Sequence, residues 1–170
     1  MCGCLLFNIF FLPILLTTSG NNMFQGRFEH SIDDKGRVAV PAPFRKKLQK
    51  EDCNEVVITL SDQCLVAYAI EDWETKVAQI AKLNQLDPNV VAFKRIFIGL
   101  AQSTPIDKGG RILIPADLRN QVQIEKTTVL LGQIDKFEIW SEHLWANNFN
   151  QMSDQLGSIC ANLAQHGISL

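Results

Sequence analysis

Two short segments of this chain carry an acid and a base at one spacing: Asp33-x-x-x-Arg37 and Asp107-x-x-x-Arg111. In both, a glycine, Gly36 or Gly110, stands immediately before the arginine. Glycine supplies the positive φ that a tight turn needs, so each segment reads as a turn whose carboxylate and guanidinium sit on opposite limbs and can meet. A carboxylate that grips one edge of a guanidinium fixes its plane. A five-donor fork held in that way suits a phosphate or the edge of a guanine base. The plainer alternative is a turn ion pair without a ligand, contributing about 0–1 kcal/mol if exposed. Occurrence of the pair twice, at matching positions, favours a ligand. Lys35 and Lys108 add positive charge within the same turns, and the run Arg45-Lys46-Lys47 follows the first turn. That run is either a further set of phosphate contacts or the solvated face of a short helix.

No other constellation offers chemistry. His30, His143 and His166 are isolated, no serine or cysteine has an evident base, and Walker and dinucleotide fingerprints are missing. Of five cysteines, Cys2 and Cys4 lie in the leader while Cys53, Cys64 and Cys160 are scattered, which is neither a disulfide framework nor a metal spacing. The expectation is a protein that is not an enzyme, holds no metal or cofactor, and works in a reduced, cytoplasmic setting. Composition is that of a folded domain, with 46% apolar and 20% charged residues in 170. The net charge of −2 gives no global pull toward nucleic acid, so DNA binding has to rest on local charge. Such charge is segregated: Arg27 to Lys50 is mostly basic and Asp135 to Asp154 mostly acidic.

The elements that must position these turns are themselves duplicated. Residues 32–48 align without a gap on residues 106–122, and Val38/Ile112, Val40/Ile114, Phe44/Leu118 and Leu48/Val122 stay apolar where identity is lost. In each copy a strand leads into the turn and a second strand leaves it, a hairpin by pattern, until Pro41 or Pro115 stops it. A short helix follows, from Pro43 in the first copy and Ala116 in the second. Val56–Leu60 with Leu65–Tyr68, and Thr128–Leu131 with Phe137–Trp140, read as further hairpins. Helices are expected from Glu71 to Leu83, from Asn89 to Phe97 behind an Asp87 cap, and after Trp140. The tail after Gly157 has no strong signal. The chain divides into a leader (1–22), a first repeat (23–70), linking helices (71–100), a second repeat (101–145) and a C-terminal helix and tail (146–170). Each repeat alone offers about four short strands, too few to bury an adequate core, so one interlocked body is expected with Val38, Val40, Ile112 and Ile114 inside.

The leader has two readings. Its apolar run Leu5 to Leu16, followed by small residues, resembles an export signal but lacks a basic n-region, and it is too short for a membrane span of roughly 20 residues. The simpler account is translation from Met23, in which case no membrane is involved.

Taken together, Met23-Phe24-x-Gly26, the two Asp-x-x-x-Arg turns followed by Val-x-Val-Pro and Ile-x-Ile-Pro, and the stretch Leu131 to Trp140 resemble the MraZ family, bacterial transcriptional regulators with two SpoVT-AbrB-type domains. The match spans about Met23 to Trp145; the leader departs from the family pattern and so supports a start at Met23. The resemblance implies an α+β fold: a duplicated swapped-hairpin, AbrB-type β-barrel formed by the two repeats, with connecting and flanking helices. It also implies a ring-shaped homo-oligomer on double-stranded DNA. The targets would be direct repeats in the promoter of the division and cell-wall gene cluster, where the protein would repress its own operon as a nucleoid-associated regulator. The DNA-binding residues it implies are Asp33, Lys35, Gly36, Arg37, Asp107, Lys108, Gly110 and Arg111. The competing function is an AbrB-type oligomeric module that binds protein, as antitoxins or scaffolds do.

Overall fold

The structure, a computed structural model, describes residues 23–51 and 53–168; the leader lies outside them. In chain order the first repeat forms β1 (Arg27–Ser31), β2 (Arg37–Ala39), α1 (Ala42–Lys50), β3 (Glu55–Ser61) and β4 (Cys64–Ala69). Two helices follow, α2 (Ile70–Ala81) and α3 (Pro88–Phe97). The second repeat forms β5 (Gln102–Pro105), β6 (Arg111–Leu113), α4 (Ala116–Gln121), β7 (Thr127–Gln133) and β8 (Lys136–Ser141), then α5 (Glu142–Asp154) and α6 (Leu156–Ala164). The Asp87 carboxylate accepts the Asn89 N–H at 2.8 Å and caps α3, as its Asp-Pro start implies.

Strand pairing is where the repeats interlock. Hairpins β3–β4 and β7–β8 meet through β4 and β8, and each is extended by a strand from the other repeat, in the order β1-β7-β8-β4-β3-β5. Arg27 to Ser31 thus pair with Leu131 to Thr127, about a hundred residues away, and Glu55 to Ile58 pair with Pro105 to Gln102. The remaining strands, β2 and β6, form a separate antiparallel ribbon with Val38 opposite Ile112. This corrects the reading of 26–40 as a simple hairpin. Only a single bridge, Ile32 to Val38, joins the two limbs before they part. The exchange of hairpin limbs expected of a swapped fold is present, but the sheet is not closed. β1 and β5 are its free edges, and the ribbon, only three residues wide on each strand before Pro41 and Pro115 remove the next donors, lies across its face.

Alternation along β4 explains the layers. Leu65, Ala67 and Ala69 face the ribbon; Cys64, Val66 and Tyr68 face α2, α3 and α5; all six are buried. The first layer joins Val38, Val40, Ile112 and Ile114, all fully buried as expected, to Phe44 and Leu48 of α1 and to Leu118 and Val122 of α4. Phe24, Phe44 and Phe137 meet there with ring centroids 5.2–5.3 Å apart. The second layer stacks Trp73 and Phe97 over Tyr68 on one side and sets Trp145 against Trp140 on the other. Cys64 is the small core residue its apolar setting suggested. Helix α6, which the sequence pattern left unassigned, packs on α5 and keeps Leu156 and Ile159 exposed. Among the described residues no helix is long and apolar enough to cross a membrane.

Candidate nucleic-acid interface

The antiparallel ribbon sets the two turns side by side. Each is tied the same way: Gly36 N–H donates to the Asp33 carbonyl and Gly110 N–H to the Asp107 carbonyl, both at 2.8 Å, with φ of +82° and +72° at the glycines. Each turn is also laced to the opposite strand, because Ile114 N–H donates to the Gly36 carbonyl and Val40 N–H to the Gly110 carbonyl.

Within the turns the carboxylates do more than face an arginine. Asp33 Oδ1 accepts the backbone N–H groups of Lys35 and Arg37 at 3.0 and 2.9 Å, while Oδ2 accepts Arg37 Nε at 2.8 Å and lies 2.7 Å from Nη2. Asp107 repeats the pattern with Gly109, Arg111 N–H, and Arg111 Nε and Nη2 at 3.0 Å each. One side of each guanidinium is therefore committed, and Nη1 of each points across the ribbon at the other turn's carboxylate, 3.9 Å for Arg37 to Asp107 and 4.0 Å for Arg111 to Asp33. The four groups form one half-exposed cluster. The Arg37 backbone N–H, and then its guanidinium, pull Asp33 from the usual 3.8 down to about 2. Asp107 is lowered too: the Arg111 N–H contributes most, burial opposes it, and the Arg111 side chain and the Gly109 N–H add to the lowering. Both acids stay ionised at any physiological pH, so both guanidinium planes stay fixed.

Arg45 and Lys46 behave differently from Lys47. Arg45, half-buried, donates from Nη1 to the Val40 carbonyl at 2.8 Å and runs beneath the other repeat's glycine turn: a Cβ on Gly110 would sit 2.7 Å from Arg45 Cδ. Lys46 is exposed. Lys47 is not available to phosphate. It is buried, with Nζ 2.9 Å from Asp72, 3.1 Å from Glu51 and 4.3 Å from the centre of the Phe24 ring. Burial works to lower its pKa, but hydrogen bonds to Asp72 and Glu51 outweigh this and hold it above the usual value. Lys47 follows Phe44 by three positions and precedes Leu48 by one, so it flanks the inward stripe of α1. Assigning it to the outer face of α1 was therefore an error of helical phase.

Arg119 escaped the sequence reading. It is the second-repeat counterpart of Arg45, donates from Nε to the Ile114 carbonyl at 3.1 Å, and passes under Gly36, whose added Cβ would lie 3.0 Å from its guanidinium. The signal was the internal alignment, in which both arginines recur. Lys35 and Lys108 are exposed at the turn tips. The structure thus gathers Asp33, Lys35, Gly36, Arg37, Asp107, Lys108, Gly110, Arg111 and Arg45 around one ribbon and removes Lys47 from them. No group of acids, histidines and cysteines able to hold a metal ion occurs among the described residues.

Residues 23–96 and 97–163 each match the family described as "MraZ protein, putative antitoxin-like". A Shewanella oneidensis protein named transcriptional regulator MraZ is 37% identical over 136 residues, covering 79% of this chain and 90% of the relative. A protein of the same name from Shewanella putrefaciens is 36% identical over 138 residues, covering 80% and 91%. With two matched repeats and relatives aligned over nine-tenths of their length, the chain belongs to the MraZ family of transcriptional regulators, which are not enzymes.

Proposed function

We propose that this chain is a cytoplasmic, nucleoid-associated DNA-binding repressor of its own operon in the division and cell-wall gene cluster, and that it grips promoter direct repeats as a ring-shaped homo-oligomer. The observation that carries this reading is the pair of oriented guanidinium forks on one ribbon, Arg37 and Arg111, each locked by its own aspartate. Bidentate arginine is the commonest reader of guanine, and a β-ribbon is narrow enough for the major groove. One subunit offers few contacts, so a single box should be held near the non-specific range, about 10⁻⁴ to 10⁻⁶ M. In an assembly the later contacts become intramolecular, which raises affinity by about 10² to 10⁴ when spacing permits simultaneous engagement.

The test compares one box, natural tandem boxes and tandem boxes separated by an added half helical turn, all at one salt concentration. Tandem boxes should bind far more tightly than the other two. Equal affinity across the three would remove the role of assembly. The protein-binding alternative draws on exposed Phe149, Met152 and Leu156 along α5 and α6; it would be preferred if the chain showed no preference for its own promoter over scrambled DNA.

A further inference from the structure

The two halves of the interface share geometry but not charge. Because the ribbon crosses over, each turn is flanked by the other repeat's short helix: α1 reaches turn 107–111 through Arg45, and α4 reaches turn 33–37 through Arg119. Arg45, Gln49, Lys108 and Gly109 line one groove between α1 and the second turn. On that side Arg45, Lys46, Lys108 and Arg111 stand against Asp107 alone, an excess of three positive charges. On the other side Lys35, Arg37 and Arg119 stand against Asp33, Asp34 and Asp117, with no excess. The loops behind the turns narrow this difference without removing it. Ile32 N–H bonds to the Lys126 carbonyl, but Lys126 is cancelled by neighbouring Glu125; on the opposite side Cys53 and Asn54 are uncharged, and the exposed Glu55 beside them, which accepts from Ser103 Oγ at 2.7 Å, lowers that side's excess to two. The difference arises at matched positions of the repeats, where Asp34 corresponds to Lys108, Lys46 to Asn120 and Pro43 to Asp117, partly offset by Lys35 in place of Gly109. Asp34, Lys46, Lys108 and Asp117 are all exposed, and Asp117 also accepts from Gln102 Nε2 at 3.2 Å.

Resting on the DNA-binding reading above, we infer that the arms divide the work: turn 107–111 with Arg45 and Lys46 is the phosphate anchor, and turn 33–37 is an electrically balanced arm that contributes through Arg37 geometry. Two equal arms about a local twofold would make the subunit indifferent to its direction on DNA. Unequal arms make it polar. On boxes repeated in one direction, the anchored phosphates then fall on the same flank of every box. The balanced arm also limits attraction to arbitrary DNA, since Asp34 and Asp117 repel the phosphates that Lys35 and Arg119 attract.

The experiment measures the slope of log affinity against log salt for the full chain and for Lys108→Ala, Lys46→Ala, Lys35→Ala and Asp34→Lys, after thermal melts confirm unchanged folding. Lys108→Ala and Lys46→Ala should each flatten the slope by about 0.9, equivalent to about 8-fold weaker binding at 0.1 M salt relative to 1 M. Lys35→Ala should flatten it by less than half as much, and Asp34→Lys should steepen it. Phosphate ethylation interference adds direction: phosphates that cease to matter in Lys108→Ala should lie on one flank of each box. Equal flattening by Lys35→Ala and Lys108→Ala, or lost phosphates on both flanks, would overturn the inference. The slopes can also be read on scrambled duplex. Failure to prefer the promoter would therefore refute the regulator reading, while the slopes still decide between equal and unequal arms.

Discussion

Replacing Lys47 with alanine should cost folding stability and leave DNA binding intact, the reverse of what a surface lysine in a basic run would do. Among the described residues Lys47 bridges Glu51 and Asp72, and Glu51 Oε2 is already buried with no hydrogen-bond partner there. Removing one partner of a buried pair costs about 3–5 kcal/mol because the other charge is stranded. Here the stranded acids retain part of their hydration, with side-chain exposures of 20% for Glu51 and 32% for Asp72, which trims the cost to about 2–3 kcal/mol. For a chain of this size that corresponds to a fall in Tm of about 4–12 °C. Calorimetry at fixed protein concentration measures it, since assembly would otherwise make Tm depend on concentration. Adding Glu51→Gln and Asp72→Asn to a Lys47→Met variant should recover most of the loss, because an uncharged packed replacement leaves no orphan. An unchanged Tm with a salt slope flattened by about one would refute the argument and return Lys47 to the DNA surface.

Three further outcomes follow from the geometry. Arg37→Ala and Arg111→Ala should each weaken promoter binding by about 1–3 kcal/mol in gel-shift titrations with little change in Tm, since both side chains are partly exposed and truncation buries nothing unpaired. The stability that ionised Asp33 gives its turn is complete above its usual pKa of 3.8 and is lost as pH falls through its folded value of about 2. The Tm difference between the natural chain and Asp33→Asn should therefore shrink between about pH 4 and pH 2. Gly132→Val should destabilise by about 3 kcal/mol or more, because even the first added carbon would lie 2.3 Å from Gln25 N and 2.4 Å from Phe24 C, whereas Gly157→Ala, with open space around it, should be neutral or stabilise the helix by up to about 1 kcal/mol in a denaturant melt.

What could be read from the chain was whatever depends on near neighbours. Two-residue alternation put Val38, Val40, Ile112 and Ile114 inside, and the Asp–Arg spacing with its glycine announced the turn. Which strand β1 would choose depends on distant residues. Arg27 to Ser31 alternate equally well against β2 or β7, and nothing local tells that the limbs part after one bridge, β1 to pair with β7 and β2 with β6. The role of Lys47 was half legible. Its phase on α1 follows from Phe44 and Leu48, but Asp72 stands 25 residues away and no local pattern pairs them. Helix α6 was missed, although Leu156, Ile159, Cys160 and Leu163 recur at helical spacing. The charge difference between the arms needed both the internal alignment and the crossover, because sequence order alone places α1 with the first turn.

The exchange of β1 and β5 between repeats also sets the order of events at the ribosome. β1 emerges early, yet its hydrogen-bonding partners Thr127 to Leu131 are made about a hundred residues later. At a synthesis rate of about 5–20 residues per second, that strand waits on the order of 5–20 s without a ladder. The hairpin β3–β4, whose pairing is local, forms in the meantime and presents an open edge where β5 will dock. A nascent chain paused in the linking helices would therefore expose both an unpaired strand and an unfilled edge, and two such chains on one message could complete each other. Prompt synthesis of the second repeat keeps that exchange within one molecule.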